Sequence, residues 1–250
     1  MSESTDEPLL TWLDAGRPFP PANRAWGADS SAPGLLAAGN GLHADLVLSA
    51  YQQGIFPWFG EDQPVLWWSP DPRMVLPLDA FRLHRSLRQS LKRHLAQTGG
   101  ELCFDRDFTQ VMQRCAQQAR PGQKGSWIVP SMVQAYTELH QRGHAHSAEV
   151  WLEGRLVAGL YFVSLGHAVF GESMFTDIRD GSKMALAMLV SAGRKHGVPL
   201  IDCQQNTRHL ASLGAREIPR EDFLAALQTS RQQPEIDWRA ETLYWNTLDL

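Results

Sequence analysis

HSAEVWLEGRLVAGLYFVSLGHAVFGESMF, residues 146–175, decides how this chain folds. It reads as three β-rich runs, 146–152, 155–163 and 167–175, broken by Glu153-Gly154 and by Ser164-Leu165-Gly166. That pattern predicts an antiparallel meander. Side chains alternate along a strand, which places Phe170, Glu172 and Met174 on one face of the last run. A carboxylate flanked by apolar residues is costly to bury unless it is hydrogen-bonded. Glu172 therefore either bonds a neighbouring backbone or amide group, or holds a hydroxyl or amine of a substrate.

Downstream, the spacing predicts a helix over 182–196 with Met184, Met188, Leu189 and Ala192 inward and Gly197 as its stop. The next stretch, LIDCQQNTRHL at 200–210, opens as a buried strand and ends in polar residues instead of a turn pair. Alternation gives Asp202 and Gln204 one face and Cys203 the other. Such a pair either bonds nearby loop amides or orients a ligand and accepts protons from it. A short helix over 207–213, a strand near 215–218 and a helix over 221–231 complete the order. Strands followed by helix–strand–helix–strand predict an α+β (α/β layered) fold with one mixed β-sheet flanked by helices. If the strand at 169–175 lies near that at 200–204, Glu172, Asp202 and Gln204 line one pocket.

Upstream, residues 1–32 read as an irregular arm, with Pro, Gly and Ala continuing to residue 41 as packed coil. The segment 33–98 is expected to form a small N-terminal domain. It holds a helix over 43–53, with Asp45 near its start and Gly54 at its stop, and a stiff aromatic loop over 54–73 in which Trp58, Trp67 and Trp68 sit among four prolines. Most of those rings belong to a local core, but an exposed one is a platform for a nucleobase. Residues 82–95, RLHRSLRQSLKRHL, predict an amphipathic helix with Leu83, Leu87, Leu91 and Leu95 as its apolar stripe. Arg82, Arg85, Arg88, Lys92 and Arg93 supply five bases and no acid, which is either a solvated face or a phosphate-binding one. A catalytic domain is expected over 99–235 and a tail over 236–250. It begins with a strand at 102–104, a helix capped by Asp105 or Asp107, a basic glycine-rich loop ending at Trp127, and a helix over 131–142 opened by Ser131.

Net charge is −4 and charged residues are 20% of the chain, so any nucleic-acid contact needs a local basic patch. The acidic first residues are unlike a targeting peptide. The longest apolar run, 156–163, falls short of the roughly 20 residues a membrane helix needs. Three cysteines without a CxxC pair suggest reduced thiols and a cytoplasmic location. His140, His144 and His146 span a helix end and a strand start, so they are not expected to converge on a metal. Ser173 lacks the second glycine of a nucleophile elbow and falls inside a strand. No Walker loop or dinucleotide-binding fingerprint occurs.

The motifs GIFPWF (54–59), LWWSPDPR (66–73), SWI (126–128), LHQRGHAHSAEVW (139–151), FGESMF (170–175), SKMAL (182–186) and LIDCQ followed by HLASLGA (200–215) occur in one order. Together they resemble the bacterial leucyl/phenylalanyl-tRNA–protein transferases. The resemblance implies a catalytic domain like the acyl-CoA N-acyltransferases, with no metal or organic cofactor. It implies transfer of Leu or Phe, with Met as a further donor residue, from aminoacyl-tRNA to an N-terminal Arg or Lys of a protein marked for degradation. It implies catalytic roles for Asp202 and Gln204 with Glu172 beside them, and Trp58 and Trp127 holding the tRNA 3′ adenosine. By the same resemblance, Leu160, Met174, Leu186 and Ile201 form the aminoacyl pocket, and Arg85, Arg88, Lys92 and Arg93 meet the tRNA backbone. Two rivals differ in class. An acyl-CoA-dependent N-acyltransferase needs a pyrophosphate-binding glycine loop, and a non-catalytic tRNA-binding module leaves the three polar residues unexplained.

Overall fold

The computed structural model describes residues 9–14, 16–118 and 128–248. Two sheets carry the architecture. The smaller has the order β1 (Thr11–Leu13), β2 (Leu35–Gly39), β4 (Val65–Trp68) and β3 (Phe56–Pro57), with β1 parallel to β2 and the other pairs antiparallel. The larger has seven strands in the order β11 (Arg216–Ile218), β5 (Arg73–Pro77), β10 (Leu200–Gln204), β9 (Ala168–Thr176), β8 (Arg155–Leu165), β7 (Ala145–Leu152) and β6 (Gly100–Phe104). Only β9–β10 runs parallel in it, so the sheet is mixed, and β7–β8–β9 is the antiparallel meander its sequence calls for.

Two corrections concern the first seventy residues. The Pro- and Gly-rich coil contains β2, a fully buried strand in which Ala37 and Ala38 are small enough to let β1 and β4 flank it closely. The aromatic loop contains β3 and β4, whose prolines hide them from a reading by composition. Pro57 sits on the edge strand β3, where a missing N–H costs no ladder bond. The larger sheet also takes β5 from the 33–98 segment and places it between β10 and β11, so it draws strands from both sides of residue 98.

Helices cover both faces of the large sheet. One core packs α1 (Ala44–Tyr51), α3 (Phe108–Gln117), α4 (Pro130–Gln141), α7 (Arg220–Ser230) and the small sheet, through Tyr51, Trp67, Phe108, Tyr136 and Phe223. The other packs α2 (Arg85–Ala96) and α5 (Gly181–Lys195) through Leu87, Leu91, Leu186 and Met188. Local chemistry sets the helix starts. Asp107 caps α3 by accepting the Gln110 N–H at 2.9 Å, Pro130 occupies the first turn of α4, and His43 caps α1 with Asp45 in its first turn. In α2 the buried positions are Leu87, Leu91 and His94, while Leu83 precedes the helix and Leu95 is exposed. Each four-residue step overshoots a 3.6-residue turn by about 40°, so after two leucines the inward position falls three residues on.

Candidate active site

The parallel pair β9–β10 is registered by only Ile201 opposite Val169 and Asp202 opposite Phe170. Beyond those residues both strands are irregular. On β10 the register against β5 slips between Asp202 and Gln204, and Gln204 takes a left-handed φ of 56°. On β9, Gly171 and Ser173 pair with Phe162 and Tyr161, leaving Glu172 as the extra residue. An extra residue breaks strict alternation. Phe170 and Met174 thus join opposite cores instead of sharing a face, and Cys203 reaches the same cleft as Gln204. Between the parted strands lies a cleft of about 850 Å³.

Asp202 lies beneath this cleft, not on its wall. It is 1% exposed and takes a forked pair of hydrogen bonds from Arg73 on β5, Nε to Oδ1 at 2.8 Å and Nη2 to Oδ2 at 2.7 Å. Oδ1 also accepts the backbone N–H of Gln204 at 3.0 Å. Arg73 itself is fully buried, its guanidinium carbon over the rings of Phe56 and Phe223, 4.8 and 4.5 Å from their centroids. Local sequence pattern assigns Arg73 no role, although it ends the quoted motif LWWSPDPR.

Gln204 spans the gap between the strands: its Nε2 donates to Glu172 Oε1 at 3.0 Å. Gln204 itself lines the cleft, and that bond leaves its amide oxygen to act as an acceptor. Glu172 is half-buried as a residue, yet its carboxyl is enclosed, and burial pushes it up to about 8. The Tyr51 and Tyr136 hydroxyls and Arg73 counter that rise, whereas the charge of Asp202 adds to it. Those hydroxyls meet at 2.6 Å in the core, and burial above all, then the charge of Glu172, holds both phenols well above their usual range, so they remain donors. Neither tyrosine stands out in the sequence; their one signal is that each sits on the inward face of its helix.

The rest of the wall is mixed: Ser182, Gln205, Thr207 and His209 are among its polar members, and an apolar part stands beside them. Leu160, Met174, Leu186 and Ile201 all line the cleft, joined by Leu189, which helical spacing assigns only to the core. Trp58 lines it too, half-buried, and is fixed where its carbonyl accepts Trp68 Nε1–H at 2.7 Å. Trp127 lies outside the described residues. The Cys203 thiol is pushed up by burial and then by the Asp202 charge, so it is no thiolate nucleophile. Ser173 lies inside β9 as expected, away from any strand-to-helix turn. Among the basic residues of α2, Arg85, Lys92 and Arg93 are exposed and Arg88 is half-buried.

The histidine expectation needs correcting. His140 and His146 do converge, on Asp105, with ligand-capable atoms within 4.8 Å of one another. The chain turns there because Asp105 takes a φ of 55° and its Oδ1 accepts the Ser147 N–H. Hydrogen bonds already occupy the rings: His146 Nδ1 meets Asp105 Oδ2 at 2.7 Å and its Nε2 meets the Gly143 carbonyl at 3.1 Å, while His140 Nδ1 meets the Ala145 carbonyl at 2.8 Å. The cluster is a structural knot joining α4 to β7.

Known proteins show the same pattern over nearly the whole chain. Residues 75–228 match the leucyl/phenylalanyl-tRNA protein transferase family, and residues 40–71 match its N-terminal domain. A leucyl/phenylalanyl-tRNA–protein transferase of Polaromonas sp. is 55% identical over 96% of this chain and 94% of its own length. Proteins of the same name from Paraburkholderia phytofirmans and Albidiferax ferrireducens are 53% and 51% identical, over 92% and 98% of this chain and 94% and 96% of theirs. Matched by the family's model over residues 75–228 and 51% to 55% identical to these three relatives over 92% or more of its length, the chain belongs to the leucyl/phenylalanyl-tRNA protein transferase family.

Proposed function

We propose that this transferase moves Leu or Phe, with Met as a further donor residue, from aminoacyl-tRNA to the N-terminal Arg or Lys of acceptor proteins in the cytoplasm. The new peptide bond then marks the acceptor for degradation by the bacterial N-degron route. One observation carries the reading: a single cleft joins an apolar pocket, lined by Leu160, Met174, Leu186 and Ile201, to the bridged amide and carboxyl of Gln204 and Glu172. Trp58 at the same cleft supplies a ring on which the terminal adenine stacks, and the exposed bases of α2 supply phosphate contacts. No described helix is long and apolar enough to cross a membrane.

The chemistry asks for positioning more than for activation. An aminoacyl ester is already reactive, so the acceptor amine can attack its carbonyl carbon without a covalent enzyme intermediate. The nitrogen–carbon bond forms, the carbon–oxygen bond to the ribose breaks, and the proton the amine gives up ends on the departing ribose oxygen, which leaves as the tRNA hydroxyl. Holding the reactants together contributes as much as about 7–11 kcal/mol in well-oriented cases. An α-amine of pKa near ~8 has a neutral fraction near neutral pH, so little base strength is needed. Gln204 accepts a hydrogen bond from that amine through its free amide oxygen. Asp202 orients Gln204 through the backbone N–H, from below the floor of the cleft.

The acyl-CoA rival calls for a pyrophosphate at the start of α5. Asp180 sits there, its carboxylate taken by Ser90 and Lys183 and held below its usual range by those bonds against the opposing effect of burial. The deciding assay uses radiolabelled Phe-tRNA, the purified protein, and one peptide beginning with Arg beside another beginning with Ala. Label on the Arg peptide alone is expected; label on neither peptide sinks the assignment.

A further inference from the structure

We infer that Arg73 is a positioning residue for the transfer step, setting the orientation of Gln204 through Asp202. The inference rests on the proposed role of Gln204 and adds a residue that never meets the substrate. Its geometry is over-determined. The forked bond to Asp202 fixes the carboxylate plane, and the guanidinium packs over the rings of both Phe56 and Phe223. Oδ1 then has one direction left, and the Gln204 N–H lies along it. That bond is needed because Gln204 follows the slipped register with a φ of 56°, a conformation residues other than glycine seldom adopt unless their surroundings enforce it. Its side chain is in turn aimed by the bond to Glu172.

A purely structural ion pair would be an odd choice here. Two charges that are 0% and 1% exposed lose much hydration, and apolar residues of similar volume commonly stabilise a core as well or better. What the pair supplies that apolar packing cannot is direction: a planar, two-point hold on a carboxylate whose third contact is the backbone of Gln204. Phe56 adjoins Pro57 and Trp58, all lining the cleft, so the same guanidinium touches the strand that leads to the adenine platform.

The test compares the full-length wild type with Arg73→Lys, which keeps the charge and loses the fork, and with Arg73→Gln/Asp202→Asn, which leaves a neutral pair with no buried unpaired charge. Melting curves select the variants that fold. Steady-state transfer of Phe from Phe-tRNA to an Arg-initiated peptide is then split into kcat and KM, and binding of Phe-tRNA is measured separately. Displaced reacting groups commonly cost one to two orders of magnitude, so kcat should fall by about tenfold or more while KM and tRNA binding stay within about twofold. A folded variant with wild-type kcat, or one that loses only tRNA affinity, overturns the inference. Should Arg73→Lys fail to fold, the double variant decides between these outcomes. A wild type that labels neither peptide refutes the proposed function instead, so the two failures are distinguishable.

Discussion

At the scale of single residues, Glu172 sets a testable pH dependence. Its carboxyl is raised to about 8 in the fold, mainly by burial. The unfolded chain has the ordinary value near ~4.3, so the folded state binds the proton more tightly across the window between the two. The stabilisation this proton confers is complete below the unfolded value and is lost as pH climbs through the folded one. Glu172→Gln keeps an oxygen to accept from Gln204 but cannot ionise. Melting temperatures taken from pH 5 to pH 9 should therefore fall more steeply in the wild type than in the variant, and parallel curves would show that the carboxyl is not held protonated. A second residue-scale expectation concerns donor choice. Leu186→Ala enlarges the apolar wall, so the ratio of kcat/KM for Phe-tRNA over Leu-tRNA should rise. A pocket change of this kind is worth about 1–3 kcal/mol, and competition between the two charged tRNAs reads it directly.

At the scale of elements, α2 and the start of α5 carry separate expectations. Arg85→Glu with Lys92→Glu reverses two exposed charges on α2. Binding of tRNA should weaken, and its logarithmic dependence on salt should flatten as phosphate contacts are lost. An unchanged salt slope would return α2 to an ordinary solvated face. Gly181 opens α5 because a Cβ there would come within 2.6 Å of the Ala158 Cβ and 2.5 Å of the Thr176 Oγ1. Gly181→Ala should cost about 1–3 kcal/mol in urea unfolding, as overpacking commonly does. The elements also differ in how legible they are in the sequence. Alternating apolar runs with glycine-bearing breaks mark β7, β8 and β9, and apolar spacing marks α3, α5 and α7, since each obeys a local period. Glu172 and Gln204 are identifiable as polar residues on adjoining apolar strands, and their 3.0 Å contact follows from strand order. Arg73 is not legible, because its partner lies 129 residues away and no local pattern encodes that pairing. The bulges at Glu172 and Cys203 are hidden for the same reason: a register slip belongs to two strands at once.

At the scale of the whole molecule, the large sheet is the common wall of two cores, and the cleft occurs where two of its strands part. Of the expected tail over 236–250, the described residues 236–248 lie as a strap across the second core. Ser191 Oγ on α5 accepts the Tyr244 N–H at 2.6 Å, Arg194 donates to the Thr247 carbonyl at 2.6 Å, and Glu241 meets Lys195 and His196 at 3.0 and 2.9 Å. The strap thus holds the outer side of α5, the helix that offers Leu186 and Leu189 to the wall of the cleft. Its anchor is Trp238, 1% exposed, with ring centroids 4.9 Å from Phe162 and 5.5 Å from Phe104. Those partners sit on β8 and β6, and Trp238 is not among the residues that line the cleft. Stability and turnover should therefore separate. Trp238→Ala removes one of the largest buried side chains and should lower the unfolding free energy by about 3–5 kcal/mol. Transfer rates measured well below the variant's melting temperature should stay within about twofold of wild type, because a packing loss of this kind acts through the folded fraction. A kcat that drops in fully folded Trp238→Ala would instead mean that the strap sets the position of α5 at the pocket, and that the second core takes part in substrate placement.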